Sequence, residues 1–149
     1  SMVDFSGTFN RVIGAVIGDD VTAGASFHGR AVQVNLTCRG EFTSAAIETI
    51  KILAFDLAVL LSSIEGRGFH PRFLIHDGPR EADMSASIYR RFFMLAHEFE
   101  RAAGTAEPNF QYIITTTEPP PDEIRKEPWL LDPVLDASTH EGRLLKVDL

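Results

Sequence analysis

The residues able to do chemistry gather around one acid. In FLIHDGPRE, residues 73–81, three apolar residues and His76 lead into Asp77, and Gly78 and Pro79 then break the chain. An acid at the carboxyl end of a strand, beside a turn, is where α/β proteins place chemistry. Its oxygens suit Mg²⁺, which usually takes one or two carboxylates and fills its shell with phosphates and water. The competing reading is that Asp77 caps the Gly78–Pro79 turn with its own side chain. Glu81 and Asp83 follow. They read either as a water-orienting or metal-linked acid or as charge favoured at a helix N-terminus. Ser44 opens a long apolar segment. A helix start offers N–H groups and partial positive charge to a phosphate, and equally explains Ser44 or Thr43 as a plain N-cap. Thr115, Thr116 and Thr117 close a second strand-like segment. They belong at the edge Asp77 occupies if the two strands run parallel, or merely reflect β-propensity.

Other chemistries find no support in the spacing. The five histidines (28, 70, 76, 97 and 140) show no zinc pattern, and Cys38 has no partner. His76 directly precedes Asp77, so it faces the other side of the strand and reads as a hydrogen-bonded core histidine. There is no G-x-S-x-G elbow and no G-x-x-x-x-G-K-[ST] phosphate loop.

Those residues need elements to position them. Residues 4–17 carry Phe5, Phe9, Val12, Ile13 and Val16 at helical spacing, with Gly18 as a stop. His28–Gly29 separates two antiparallel strands, about 22–28 and 31–38. Residues 44–62 are apolar on nearly every side, which predicts a helix packed inside a domain. Residues 66–69 form a loop. Residues 72–77 form a strand apolar enough to be central in a parallel sheet. Residues 83–103 form a helix with Met84, Ile88, Phe92, Leu95, Phe99 and Ala102 on one face, ended by Gly104. Residues 110–117 are a further strand, which the prolines 119–121 cannot continue. Residues 128–137 read as irregular or one helical turn, and 142–149 as a last strand. The strand–helix–strand order from 72 to 116 implies parallel pairing and an α/β class.

Composition bounds the function. The 149 residues are one domain's worth of chain, and 44% are hydrophobic, enough for a core. Ser1–Met2 reads as a cleaved-tag remnant, leaving 3–149 as a single domain and a piece of a longer protein. A net charge of −7 disfavours a broad nucleic-acid face and leaves at most a local basic patch, such as Arg90, Arg91 and Arg101. The single cysteine fits a reducing, cytoplasmic setting. No apolar run is long enough to cross a bilayer.

The order of parts is more specific than any one of them. A helix containing FNRVIGAVIG, the hairpin FHGRAVQVNLTCRG, the turn TSAA, a long helix, a strand ending in Asp with Pro two residues on, a helix, and a strand ending in threonines follow one another. This resembles the C-terminal lobe of the ATP-binding-cassette ATPase head of SMC, RecN and RecF type proteins, closest to bacterial SMC-like coiled-coil ATPases. The likeness covers about residues 5–117. It implies a three-layer P-loop-NTPase-like lobe, with a mainly parallel sheet (strands about 72–77 and 110–116) flanked by helices, plus an N-terminal helix and β-hairpin.

Residue by residue, the resemblance puts Thr43, Ser44, Ala45 and Ala46 in the signature turn, which reaches the γ-phosphate held by an opposing subunit. It makes FLIHD the Walker B strand, with Asp77 holding Mg²⁺ through water. Arg80 to Asp83 take the D-loop, and Thr116 the switch position, often His in the family. The chain departs from the pattern: the signature lacks its two glycines, Gly78 stands where the catalytic Glu is usual, and the switch His is missing. Glu81 is then the substitute base. The resemblance implies Mg²⁺ and ATP in the full-length parent only, with a P-loop lobe supplied from elsewhere in that protein. It also implies a second head in an ATP-dependent homodimer, action on DNA or partner proteins, and no ATPase activity in this piece alone. A rival reading is a non-catalytic α/β protein-interaction domain. An independent Mg²⁺-dependent phosphotransfer or nuclease domain is disfavoured, because only Asp77 sits clearly at a strand end.

Overall fold

The computed structural model describes residues 1–18, 21–38, 42–78, 84–104, 109–130, 135 and 139–140. By contact they fall into two compact units, 1–118 and 119–149. The first is a mixed α/β body of three helices and two small sheets.

Helix α1 (Met2–Ile17) begins with a capping box, in which the Ser1 hydroxyl accepts from Asp4 N–H and the Asp4 carboxylate accepts from the Ser1 ammonium. Phe9, Val12, Ile13 and Val16 fall on one face and are fully buried. The antiparallel strands β1 (Val21–His28) and β2 (Ala31–Cys38) pair from Val21↔Cys38 to His28↔Ala31. Two polar side chains of α1 reach the backbone of β1: Ala23 N–H donates to Asn10 Oδ1 at 2.8 Å, and Ala25 N–H to Ser6 Oγ at 3.1 Å. These bonds occupy β1 donors that the hairpin leaves over.

Helix α2 (Ser44–Ile64) runs two residues beyond the expected end. Leu53, Ala54, Leu57, Ala58, Leu60 and Leu61 are all buried, as expected of a helix apolar on most sides. Phe55 meets Phe5 of α1 edge-on, with centroids 5.2 Å apart. At its end, Glu65 accepts from both Arg11 and Arg67. Burial would raise the Glu65 carboxyl, but these hydrogen bonds outweigh it and hold it below the usual range.

Strand β3 (Phe73–Asp77) and strand β4 (Gln111–Thr115) are adjacent and parallel, in the register Phe73↔Gln111 to Asp77↔Thr115. Both are shorter than the sequence suggests. Between them, helix α3 (Ala86–Ala103) starts at the cap Ser85 and ends at Gly104 in the left-handed conformation. Met84, Ile88, Phe92 and Leu95 of its expected stripe are buried, Phe99 is half-buried and Ala102 is exposed. Arg91 of α3 donates to the carbonyls of Val16 and Ile17, at 3.2 and 3.0 Å, and so neutralises the C-terminal end of α1.

Expectation and structure differ over the sheet. The strand 72–77 reads as central, but among the described residues β3 pairs only with β4. The face carrying Phe73 and Ile75 stays open, with 45% and 52% exposure. Leu74 and His76 point to the covered side. A single two-stranded parallel pair cannot cover both of its faces. In the second unit, Asp122–Ile124 makes one 3₁₀ turn, and Arg125 donates twice to the Pro120 carbonyl. The expected strand 142–149 and most of 131–138 lie outside the described residues.

Candidate functional site

Parallel register decides which side chains meet at the strand ends. Asp77 stands opposite Thr115, and the Thr115 hydroxyl donates to Asp77 Oδ1. Both side chains are exposed. They lie on the open face of the pair, the face of Phe73 and Ile75. Gly78 follows at φ 52°, in the left-handed region, and its N–H donates to the Thr115 carbonyl at 3.0 Å. Glycine is favoured there because a Cβ is strained at that φ.

Thr116 takes a different place. Its hydroxyl lies 2.6 Å from the Tyr89 hydroxyl of α3 and accepts from Glu118 N–H at 3.1 Å. It is occupied inside a turn, whereas Thr115 is the threonine beside Asp77. The sequence offers three successive threonines and no means of choosing among them. Only the register selects Thr115.

The expected signature turn opens α2. Thr43 is the N-cap, its hydroxyl accepting from Ala46 N–H at 3.1 Å. This settles the capping role on Thr43 and leaves the Ser44 side chain outside it. Thr43, Ser44 and Ala45 are exposed, and Ala46 is buried. Helix α2 runs antiparallel to β3: the carbonyl of Ser63 accepts from Arg72 at the start of β3, and Asp56 meets His76 near its end. Ser44 lies twelve residues before Asp56 on the same helix, so it extends about 18 Å beyond it. The turn and Asp77 thus share one end of the unit without touching. Pro79, Arg80, Glu81 and Asp83 lie outside the described residues.

Beside Asp77 is a polar chain centred on the buried His76, which sequence reading catches only in part. His76, with 8% exposure, has both ring nitrogens engaged. Nε2 is 3.1 Å from Asp56 Oδ2, and Nδ1 is 2.7 Å from the Tyr112 hydroxyl. A carboxylate only accepts, so Nε2 carries a proton toward Asp56; in the neutral ring Nδ1 is then the acceptor for the Tyr112 hydroxyl. Burial pushes the Tyr112 phenol far above its ordinary range, and the Asp56 charge adds to this. The phenol therefore stays protonated and serves as a donor, not a nucleophile. His76 is the hydrogen-bonded core histidine that its place in the strand suggests. Its two partners, 20 and 36 residues away, leave no local signal.

Among the described residues, no group of three or more His, Cys, Asp or Glu converges to hold a metal. The donor set at the strand ends is one exposed carboxylate with a hydroxyl beside it. That fits Mg²⁺ only in its usual mode, where phosphates and water supply most ligands. A groove of about 260 Å³ also lies between β2 and α2, lined by Val32, Val34, Glu48, Lys51, Ile52, Phe55 and Asp56. No helix among the described residues is long and apolar enough to cross a membrane. Comparison with protein-family models, curated proteins and solved structures gave no match.

Proposed function

We propose that this chain is the C-terminal lobe of an SMC-like ATP-binding-cassette ATPase head, acting in the cytoplasm within a longer, coiled-coil parent. The observation that carries the reading is the parallel pair β3–β4, which ends in Asp77 and Thr115 side by side at the end of the unit toward which the first turn of α2 points. The open face of β3, and its single partner among the described residues, support it further. A three-layer P-loop-like sheet would cover that face with the lobe that carries the phosphate loop.

In this reading Asp77 holds Mg²⁺ through water, and the ion would neutralise phosphate charge when bound. Thr115 orients the Asp77 carboxylate. Thr43 fixes the first turn of α2, and Ser44 and Ala45 present its outer surface to an ATP held by a second head. Thr116 takes the switch position, tied to α3 through Tyr89, and Glu81 is the substitute base. Head closure on ATP then acts on DNA or partner proteins in repair, chromosome maintenance or defence.

The isolated chain has no phosphate cradle in its sequence and should turn over no ATP above background. The test is phosphate release by the pure chain and by Asp77→Asn. Turnover that Asp77→Asn abolishes would overturn the reading and indicate an independent enzyme. A second reading, a non-catalytic interaction domain, is favoured by the exposure of Phe73 and Ile75. It predicts that the parent protein binds a partner through this face with no dependence on ATP.

A further inference from the structure

We propose that His76 is a positioning residue that ties α2 to the carboxyl end of β3, so that α2 and Asp77 move as one body. Asp56 stands on α2, the helix whose first turn carries Ser44. Its carboxylate accepts from His76 Nε2 at 3.1 Å. His76 is the backbone neighbour of Asp77. Its other nitrogen lies 2.7 Å from the Tyr112 hydroxyl, and the ring meets the Tyr112 ring edge-on at 5.3 Å. Tyr112 lies on β4, three residues before the Thr115 that donates to Asp77. The chain Asp56–His76–Tyr112 therefore joins helix, strand and strand one step inside the Asp77–Thr115 pair. An imidazole bridge serves here because it is flat and rigid and offers one donor and one acceptor on opposite sides. An aliphatic residue would fill the space but remove the tie between α2 and the strands and leave the Tyr112 hydroxyl short of a partner. A chain of hydrogen bonds of this kind is also stronger than its members taken singly. Asp56 lines the groove between β2 and α2, so the outer end of the chain reaches the surface.

The inference takes its functional meaning from the Mg²⁺ reading of Asp77, but its test uses neither metal nor nucleotide. Failure of this tie and failure of the ATPase reading are thus read separately. The test is amide hydrogen exchange on the 149-residue chain, following Gly78, whose N–H donates to the Thr115 carbonyl, against Ile13 in the core of α1. Asp56→Ala and Tyr112→Phe should each speed exchange at Gly78 about tenfold relative to Ile13. Asp56→Asn, whose amide oxygen still accepts from Nε2, should restore most of the protection. Glu48→Ala, on the same helix and groove but outside the chain, should leave Gly78 unchanged. The ring ¹⁵N signals of His76 should show a protonated Nε2 and a bare Nδ1. The proposal is overturned if Gly78 is unmoved by Asp56→Ala and Tyr112→Phe, or if Gly78 and Ile13 accelerate alike. It is equally overturned if Asp56→Asn fails to rescue, if Glu48→Ala matches Asp56→Ala, or if the ring shows the opposite tautomer.

Discussion

Single residues carry the sharpest tests. Thr43 and Ser44 are neighbours with different duties, since Thr43 caps α2 and Ser44 does not. Thr43→Ala should cost about 0.5–2 kcal/mol of stability. Ser44→Arg, on an exposed site outside the cap, should stay within about 0.5 kcal/mol. Thermal or urea unfolding of the two variants separates them. Gly78 gives a second test. The resemblance places the usual catalytic Glu at this position, but the backbone there has φ 52°. Gly78→Glu should therefore cost about 1–2 kcal/mol in backbone strain and confer no ATP turnover on the isolated chain. A stable, active Gly78→Glu variant would mean that the strand end has another shape. Asp77 was legible in the sequence because an acid before Gly-Pro at the end of an apolar run is a local pattern. Its partner was not, because nothing local tells Thr115 from Thr116.

Elements were read more readily than their neighbours. The helical spacing of Phe9, Val12, Ile13 and Val16 and the all-round apolarity of residues 44–62 are properties of short windows, and both helices lie where they suggest. The apolar spacing suggests a start for α3 at 83, whereas the helix begins at Ala86 behind Ser85, a cap with no capping-box partner to mark it. Composition suggests longer strands than form, because β-branched residues such as Thr116 and Thr117 continue the composition of β4 after its pairing has ended. The contact of α2 with β3 through Asp56 and His76 depends on a tertiary approach that no window contains. The corner where α2 ends supplies a prediction about pH. Glu65 is held below its ordinary value of 4.5 by Arg11 and Arg67. A group depressed in the folded state stabilises above its unfolded pKa, and the contribution is lost as pH falls through the folded value. Glu65→Gln should therefore lower stability slightly at neutral pH, by under about 1 kcal/mol because the pair is partly exposed. The difference from wild type should vanish as the pH drops below 4.5 toward and past the depressed value. Chemical denaturation across that range checks it, and a gap that widens toward acid would reverse the assignment.

At the scale of the molecule, the α/β class follows from the alternation of helical and strand-like windows, and the parallel pairing of β3 and β4 follows from the helix between them. What completes the sheet does not follow from the sequence of this chain. Phe73 and Ile75 are exposed on one face of the pair, and in the proposed parent a phosphate-loop lobe would cover that face. Two such heads would then trap ATP between the Asp77 edge of one and the Ser44 turn of the other. Within a single unit these lie at the same end and out of contact. The most direct measurement is the mass of the full-length parent protein in solution with Mg²⁺ and ATP, for wild type and Ser44→Arg. Wild type should form an ATP-dependent dimer. Ser44→Arg should bind ATP with near-unchanged affinity, keep its melting temperature and remain monomeric. A Ser44→Arg protein that still dimerises on ATP, or a wild-type parent that does not respond to ATP at all, would contradict the account.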